Sequence, residues 1–138
     1  DGGPRFTTID AMGFPAVPAP SGEGGKGGPD PRRPADPALA SAVRTRLTHA
    51  GLEPITGTIA TVSTCSGTDA AAREVVRRTG AIAEAMEGAA IAQVCAILGV
   101  PFVELRVISN TTGDRAAQEW DIPRAIGTLE RVAAALLA

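Results

Sequence analysis

Three short polar clusters are the places in this sequence where chemistry could be done. Ser63 to Thr68, the pair Met86-Glu87, and Ser109 to Asp114 each follow a run of strand-forming residues. Glu87 opens the stretch Ala89 to Leu98, in which Gln93 is the one strongly polar side chain. It reads two ways: as an acid placed to meet a ligand, or as a first-turn residue favoured by the helix dipole. Ser109, Asn110, Thr111, Thr112, Gly113 and Asp114 add hydroxyl, amide and carboxylate groups that can hold a polar ligand. Other chemistries find no support. The one histidine, His49, falls in the last turn of a surface-type helix, so no Ser-His-Asp arrangement forms. The acids are too scattered to pick out a glycosidase pair by spacing, and no cluster has metal-ligand spacing.

The elements that must position these clusters alternate. Thr58 to Thr64 is β-branched and reads as a strand. Thr68 or Asp69 caps a helix running to Thr79 and closed by Gly80, with Glu74 and Arg78 as an i,i+4 pair. Ala81 to Met86 is a short strand. Ala89 to Leu98 is too apolar for a surface helix and is expected to be buried on a sheet. Gly99 then caps it and Pro101 blocks its continuation. Phe102 to Ile108 reads as a central parallel strand, apolar on both faces apart from Glu104 and Arg106. Those two charges share one face and need partners, either each other or neighbouring chain. Asp121-Ile122-Pro123 starts a last helix with Ile122, Ile126, Leu129, Val132 and Leu136 as its apolar stripe. Strand–helix alternation of this kind implies an α/β fold with a mixed, largely parallel sheet flanked by helices. In such sheets ligands bind beyond the carboxyl ends of the strands, where all three polar clusters fall. Three strands are few for a complete domain.

Upstream, residues 1 to 35 are rich in Gly, Pro and Ala, and 18–35 reads as a flexible Gly/Pro-rich loop. Phe6, Ile9, Met12, Phe14 and Val17 could anchor the first part to a core. The run Gly22 to Gly28 around Lys26 lacks the hydroxyl and flanking elements of a phosphate loop. Asp36-Pro37 is a capped helix start, with Leu39, Val43 and Leu47 on one face and Gly51 at its end. The chain of 138 residues carries a net charge of −2, so it shows no footprint for nucleic acid or an anionic membrane, and no run spans a bilayer. Its first residues, Asp1 to Arg5, have neither a Met nor a signal peptide's apolar stretch, so a cytoplasmic and incomplete chain is expected. Cys65 and Cys95 read as small buried hydrophobes in a reducing compartment.

Taken together, Ala85-Met86-Glu87-Gly88-Ala89-Ala90-Ile91-Ala92 followed by Arg106-Val107-Ile108-Ser109-Asn110 resembles the purine nucleosidase and nucleoside phosphorylase superfamily. Its members carry a Met-Glu motif opening a buried helix, then a strand ending in Ser-Asp or Ser-Asn. Within it the pattern is most similar to the futalosine hydrolases of the alternative menaquinone pathway. Thr61-Val62-Ser63-Thr64, Gly67-Thr68, Gly113-Asp114-Arg115 and Trp120-Asp121-Ile122-Pro123 extend the likeness. Before Gly57, Asp10-Ala11-Met12-Gly13-Phe14 alone matches. The resemblance implies a three-layer sandwich of which residues 1–138 are the C-terminal portion, with the N-terminal strands missing. It implies hydrolysis of a 6-oxopurine nucleoside, no cofactor, and a homo-oligomer.

The resemblance also implies roles. Glu87 would bind the ribose hydroxyls and stabilise an oxocarbenium-like transition state, and Met86 would pack on the ribose. Asn110 would meet the base edge, supported by Ser109, with Arg106 behind them. No aromatic near Cys65 matches the one that stacks on the base in adenosine-type nucleosidases; backbone groups of Ser66 or Gly67, or another chain, would form that wall. Asn110 in place of Asp favours a 6-oxopurine, because an amide donates to O6 while accepting from a protonated N7. The water-activating glutamate and any phosphate-binding residues belong to the missing portion. A non-catalytic fragment or nucleoside-binding paralogue, and a phosphate-dependent phosphorylase, therefore stand as alternatives.

Overall fold

Asp36 shows how directly local chemistry sets the first element. Its Oδ1 accepts from the Leu39 amide at 2.8 Å, and Pro37 occupies the first helical turn of α1, Pro37–His49. The computed structural model describes residues 32–137. The anchors from Phe6 to Val17, the Gly22–Gly28 run and the loop up to residue 31 lie outside the described residues. Leu47 is fully buried where α1 packs on the last helix, α4, Ile122–Leu137. Burying a leucine to that extent is worth about 1.5–3 kcal/mol. Val132 is the buried counterpart on α4, and Arg46 caps the Leu136 carbonyl at 3.0 Å.

Between these helices the chain forms β1, Thr58–Thr61, then α2, Asp69–Thr79, then β2, Ala81–Ala85. The strands pair in parallel, with Ala60 opposite Glu84 and Thr61 opposite Ala85. Thr68 Oγ1 accepts from the Ala71 amide at 3.2 Å, and Gly80 closes α2 with a left-handed backbone. Ala60, Val75 and Ala81, with Val62 beside them, form the core between α2 and the sheet. The α/β class and the parallel pairing follow the sequence reading.

Four expectations need correcting. The strand β1 is shorter than the β-branched run Thr58 to Thr64 suggested, its backbone pairing running only as far as Val62 N to Ala85 O at 2.8 Å, and β2 ends one residue before Met86. Residues 101–109 are not a strand in this structure: a ladder needs a partner, and none of the described residues supplies one. What backbone pairing there is comes at the segment's ends, where Asp36 N donates to Phe102 O at 2.7 Å and Asp121 N to Ser109 O at 2.8 Å. The apolar helix α3, Gly88–Leu98, is not enclosed. Gly88 and Ala92 are buried, but Ile91, Val94, Ile97 and Leu98 are each more than half exposed. The stripe of α4 is likewise open at Ile122, Ile126 and Leu129. Finally, Cys65 is exposed and Cys95 partly so; both are free thiols.

Candidate functional site

The loop after β1 is built around Ser66, a polar residue buried to 5% exposure. Its amide and its hydroxyl both donate to the Glu84 carboxylate of β2, at 2.9 and 2.6 Å. Burying Ser66 would otherwise strand two polar groups, so the carboxylate fixes this turn. The same loop is stitched to the one after residues 101–109. Gln118 Nε2 donates to Ser66 O at 3.2 Å and to Gly113 O at 2.9 Å. Arg115 N donates to Gly67 O at 3.3 Å. Asp69 N donates to Asp114 Oδ1 at 2.9 Å while Asp114 N donates to Asp69 Oδ1 at 3.1 Å. Gly113 has a φ of +111° and stands so close to the Asp69 carboxylate that a side chain there would collide with it.

Within the third cluster, Ser109 Oγ donates to Asn110 Oδ1 at 2.8 Å, and Asn110 Nδ2 donates to Thr111 O at 2.8 Å. A short antiparallel bridge between Asn110 and Trp120 holds this turn, with Thr111 N donating to Glu119 O at 3.1 Å. An amide has two N–H donors and two lone pairs. After these two bonds Asn110 keeps one of each.

The second cluster sits at the junction of β2 and α3. Glu87 occupies the N-cap position, yet its side chain makes no capping bond and is 64% exposed. Its Oε2 lies 3.3 Å from Arg106 Nη2. Arg106 is itself anchored by Glu104, Nε to Oε1 at 2.7 Å. That hydrogen bond is the chief reason its guanidinium is held above the ordinary arginine pKa, with partial burial opposing and Glu87 adding. Glu104 in turn packs against Gly88, where a Cβ would overlap its carboxylate. The helix start is joined to β1 as well: Ala89 N donates to Thr61 Oγ1 at 2.9 Å. Met86 is half-exposed beside Glu87.

The geometry thus links Ser66 and Gly67 to the loop bearing Ser109 and Asn110, and links Glu87 to Arg106 on the segment that leads into that loop. A groove of about 550 Å³ lies elsewhere, between the start of α1 and the back of α3, lined by Arg33, Asp36, Cys95, Gly99 and Phe102 among others. Neither Glu87 nor Asn110 lines it. Among the described residues no group of three or more His, Cys, Asp or Glu is placed to hold a metal ion, and no helix is long and apolar enough to cross a membrane.

The family model described as the phosphorylase superfamily matches residues 7–138. The chain belongs to the phosphorylase superfamily. It is 47% identical over 102 residues to a futalosine hydrolase of Acidothermus cellulolyticus, an alignment covering 73% of this chain and 42% of that protein. A futalosine hydrolase of Streptomyces coelicolor is 44% identical over 65% of this chain and 38% of its own length. One from Thermus thermophilus is 39% identical over 78% of this chain and 45% of its own. The chain therefore spans less than half the length of these curated relatives. No solved structure matches it.

Two residues that join these loops escaped the sequence reading. Glu84 was one residue of a short strand, and Gln118 one of a polar loop. The signal for Glu84 was available: a carboxylate in the middle of the apolar run Ala81 to Ala85 needs a buried partner. Gln118 carries no local signal, since its two acceptors are 52 and 5 residues away.

Proposed function

We propose that this chain is the C-terminal portion of an N-ribosyl hydrolase acting on a 6-oxopurine nucleoside, with futalosine as substrate. Water adds to ribose C1′ as the C1′–N9 bond breaks. The base leaves with the bonding electron pair, gains a proton, and is released as hypoxanthine. The other product is dehypoxanthine futalosine, a menaquinone precursor. The observation that carries this reading is the free hydrogen-bonding capacity of Asn110. Ser109 and Thr111 leave it one donor and one acceptor, the pair that O6 and a protonated N7 require. The identities of 39–47% to proteins named futalosine hydrolase support the choice of substrate.

On this reading Glu87 meets the ribose hydroxyls and the positive charge that develops at C1′, for which its exposed, uncapped carboxylate is suited. Met86 packs on the ribose. Ser66 and Gly67 form the wall against the base. Arg106 orients Glu87. The nucleophilic water is activated by a base outside this chain, and no cofactor takes part.

The complete domain is a three-layer sandwich in which 102–108 is a strand paired with N-terminal strands that this chain does not hold. The exposed faces of α3 and α4 support that reading, because apolar patches of this extent mark surfaces that are covered. The assembly is a cytoplasmic homo-oligomer.

The test is release of hypoxanthine from futalosine, with and without phosphate, by this chain and by the chain extended N-terminally to the relatives' length. Phosphate-independent release by the extended protein is expected. Strict dependence on phosphate would make it a phosphorylase, and nucleoside binding without turnover would make it a binding protein.

A further inference from the structure

We propose that Gln118 is a positioning residue that sets the spacing between the two loops facing the base, and with it the choice between 6-oxo and 6-amino purines. This rests on the nucleosidase reading above. The side-chain amide of Gln118 offers two N–H groups from one nitrogen. One goes to Ser66 O and the other to Gly113 O. The two carbonyls belong to different loops, so a single planar group measures the gap between them.

Both anchor points are held by further contacts. Ser66 is buried and held on its other side by Glu84 through its amide and hydroxyl. Gly113 is buried, left-handed and pressed against the Asp69 carboxylate. A bridge between two fixed points transmits position, whereas a bridge to a mobile loop would not. Asn110 lies three residues before Gly113, and Gly67 follows Ser66 directly. The spare donor and acceptor of Asn110 discriminate between O6 and an amino group only if the base is held at hydrogen-bonding distance, and an error near 1 Å there is enough to cost about a hundredfold in rate.

The remaining contacts tell what losing Gln118 would do. Arg115 N to Gly67 O and the reciprocal Asp69–Asp114 pair still join the loops one step further out. The protein should therefore fold without Gln118 and lose precision instead.

The experiment uses the full protein with Gln118→Met, which keeps length but has no donor, and Gln118→Glu, which when ionised has no donor and faces two carbonyl oxygens with a negative charge. Melting temperatures close to the unaltered protein's are expected for both. The ratio of kcat/KM for futalosine to that for its 6-amino analogue should fall at least about tenfold, mostly in kcat, since misalignment of a bound base affects the reacting step. Exchange of the Arg115 amide should quicken in both variants. In Gln118→Glu the ratio should recover as pH falls toward about 4.3, where a protonated carboxyl regains one donor, while Gln118→Met stays flat.

An unchanged ratio in an active protein overturns the positioning role, as does unchanged Arg115 exchange. An unaltered protein inactive on both nucleosides overturns the nucleosidase reading itself, and the positioning role falls with it. The exchange result then still decides whether Gln118 joins the loops.

Discussion

Arg106 grips two glutamates at once: its Nε is 2.7 Å from Glu104 and its Nη2 is 3.3 Å from Glu87. The two contacts differ in kind. Glu104 is 17% exposed and wedged against Gly88, while Glu87 is 64% exposed. The Glu104 contact anchors the guanidinium, and the Glu87 contact uses the free end of the fork. The raised pKa of Arg106 fixes the sign of its pH dependence. Its contribution is fully present below the ordinary arginine value and is lost only as pH rises through the higher folded value. Arg106 therefore adds no pH dependence to activity or stability near neutrality.

A fork is needed to span both acids, and a lysine ammonium cannot copy it. Arg106→Lys should keep the fold, because one charge still meets Glu104. It should lower kcat/KM for futalosine by about tenfold, equivalent to about 1.4 kcal/mol, through a Glu87 that no longer holds its direction. Steady-state kinetics on the extended protein decide this. Unaltered kinetics would mean that Glu87 is oriented by something else.

Gly88 follows the glutamate because a side chain there has nowhere to go. Gly88→Ala should cost about 1–3 kcal/mol in chemical denaturation, from the collision of its Cβ with the Glu104 carboxylate. In a Glu104→Ala background most of that cost should vanish, and the double-mutant cycle measures the coupling. Equal costs in both backgrounds would place the strain in the helix backbone and not in the carboxylate.

These two contacts show where the sequence was legible and where it was not. Asp36-Pro37, Thr68 and Gly80 announced their helix ends because capping is settled within four residues. The parallel pairing of β1 and β2 followed from the alternation of strand and helix. Residues 102–108 have a strand's composition, but strandness is a relation between two segments, and the second is not among the described residues. The apolar faces of α3 and α4 misled in the same way: side chains suited to burial do not say what buries them. At the site, Glu87, Ser109 and Asn110 stood out as polar groups ending apolar runs. Glu84, Gln118 and the Glu104–Gly88 contact did not, because each is made across the fold.

Glu74 is a smaller instance. Its i,i+4 partner by spacing is Arg78, yet the carboxylate takes both arms of Arg77, at 2.7 Å each. One helical turn allows either geometry, and the bidentate one is preferred. The hydrogen bond to Arg77 is the main cause of a Glu74 pKa below its ordinary 4.5. A depressed acid contributes above its ordinary pKa and loses that contribution as pH falls through the folded value. Carbon-detected NMR titration should place the Glu74 midpoint below 4.5, and Arg77→Ala should return it most of the way. A larger return in Arg78→Ala would reverse the assignment.

Asn110→Asp tests the base edge directly. In the native turn the Ser109 hydroxyl donates to Oδ1, so the other end of the amide is the one aimed at Thr111 O and, on the proposed reading, the one that meets O6 of the base. An ionised aspartate there would turn an oxygen toward both Thr111 O and the O6 of a 6-oxopurine, two acceptors facing a third. With a 6-amino base the same oxygen gains a donor. A site that pairs every polar group of one base leaves buried groups unpaired with the other, which is worth about 10⁴-fold in the strongest cases. Since Asn110 is only partly buried, a swing of about 10²-fold in the kcat/KM ratio toward the 6-amino nucleoside is expected. Equal losses on both nucleosides would show that Asn110 shapes the turn without reading the base.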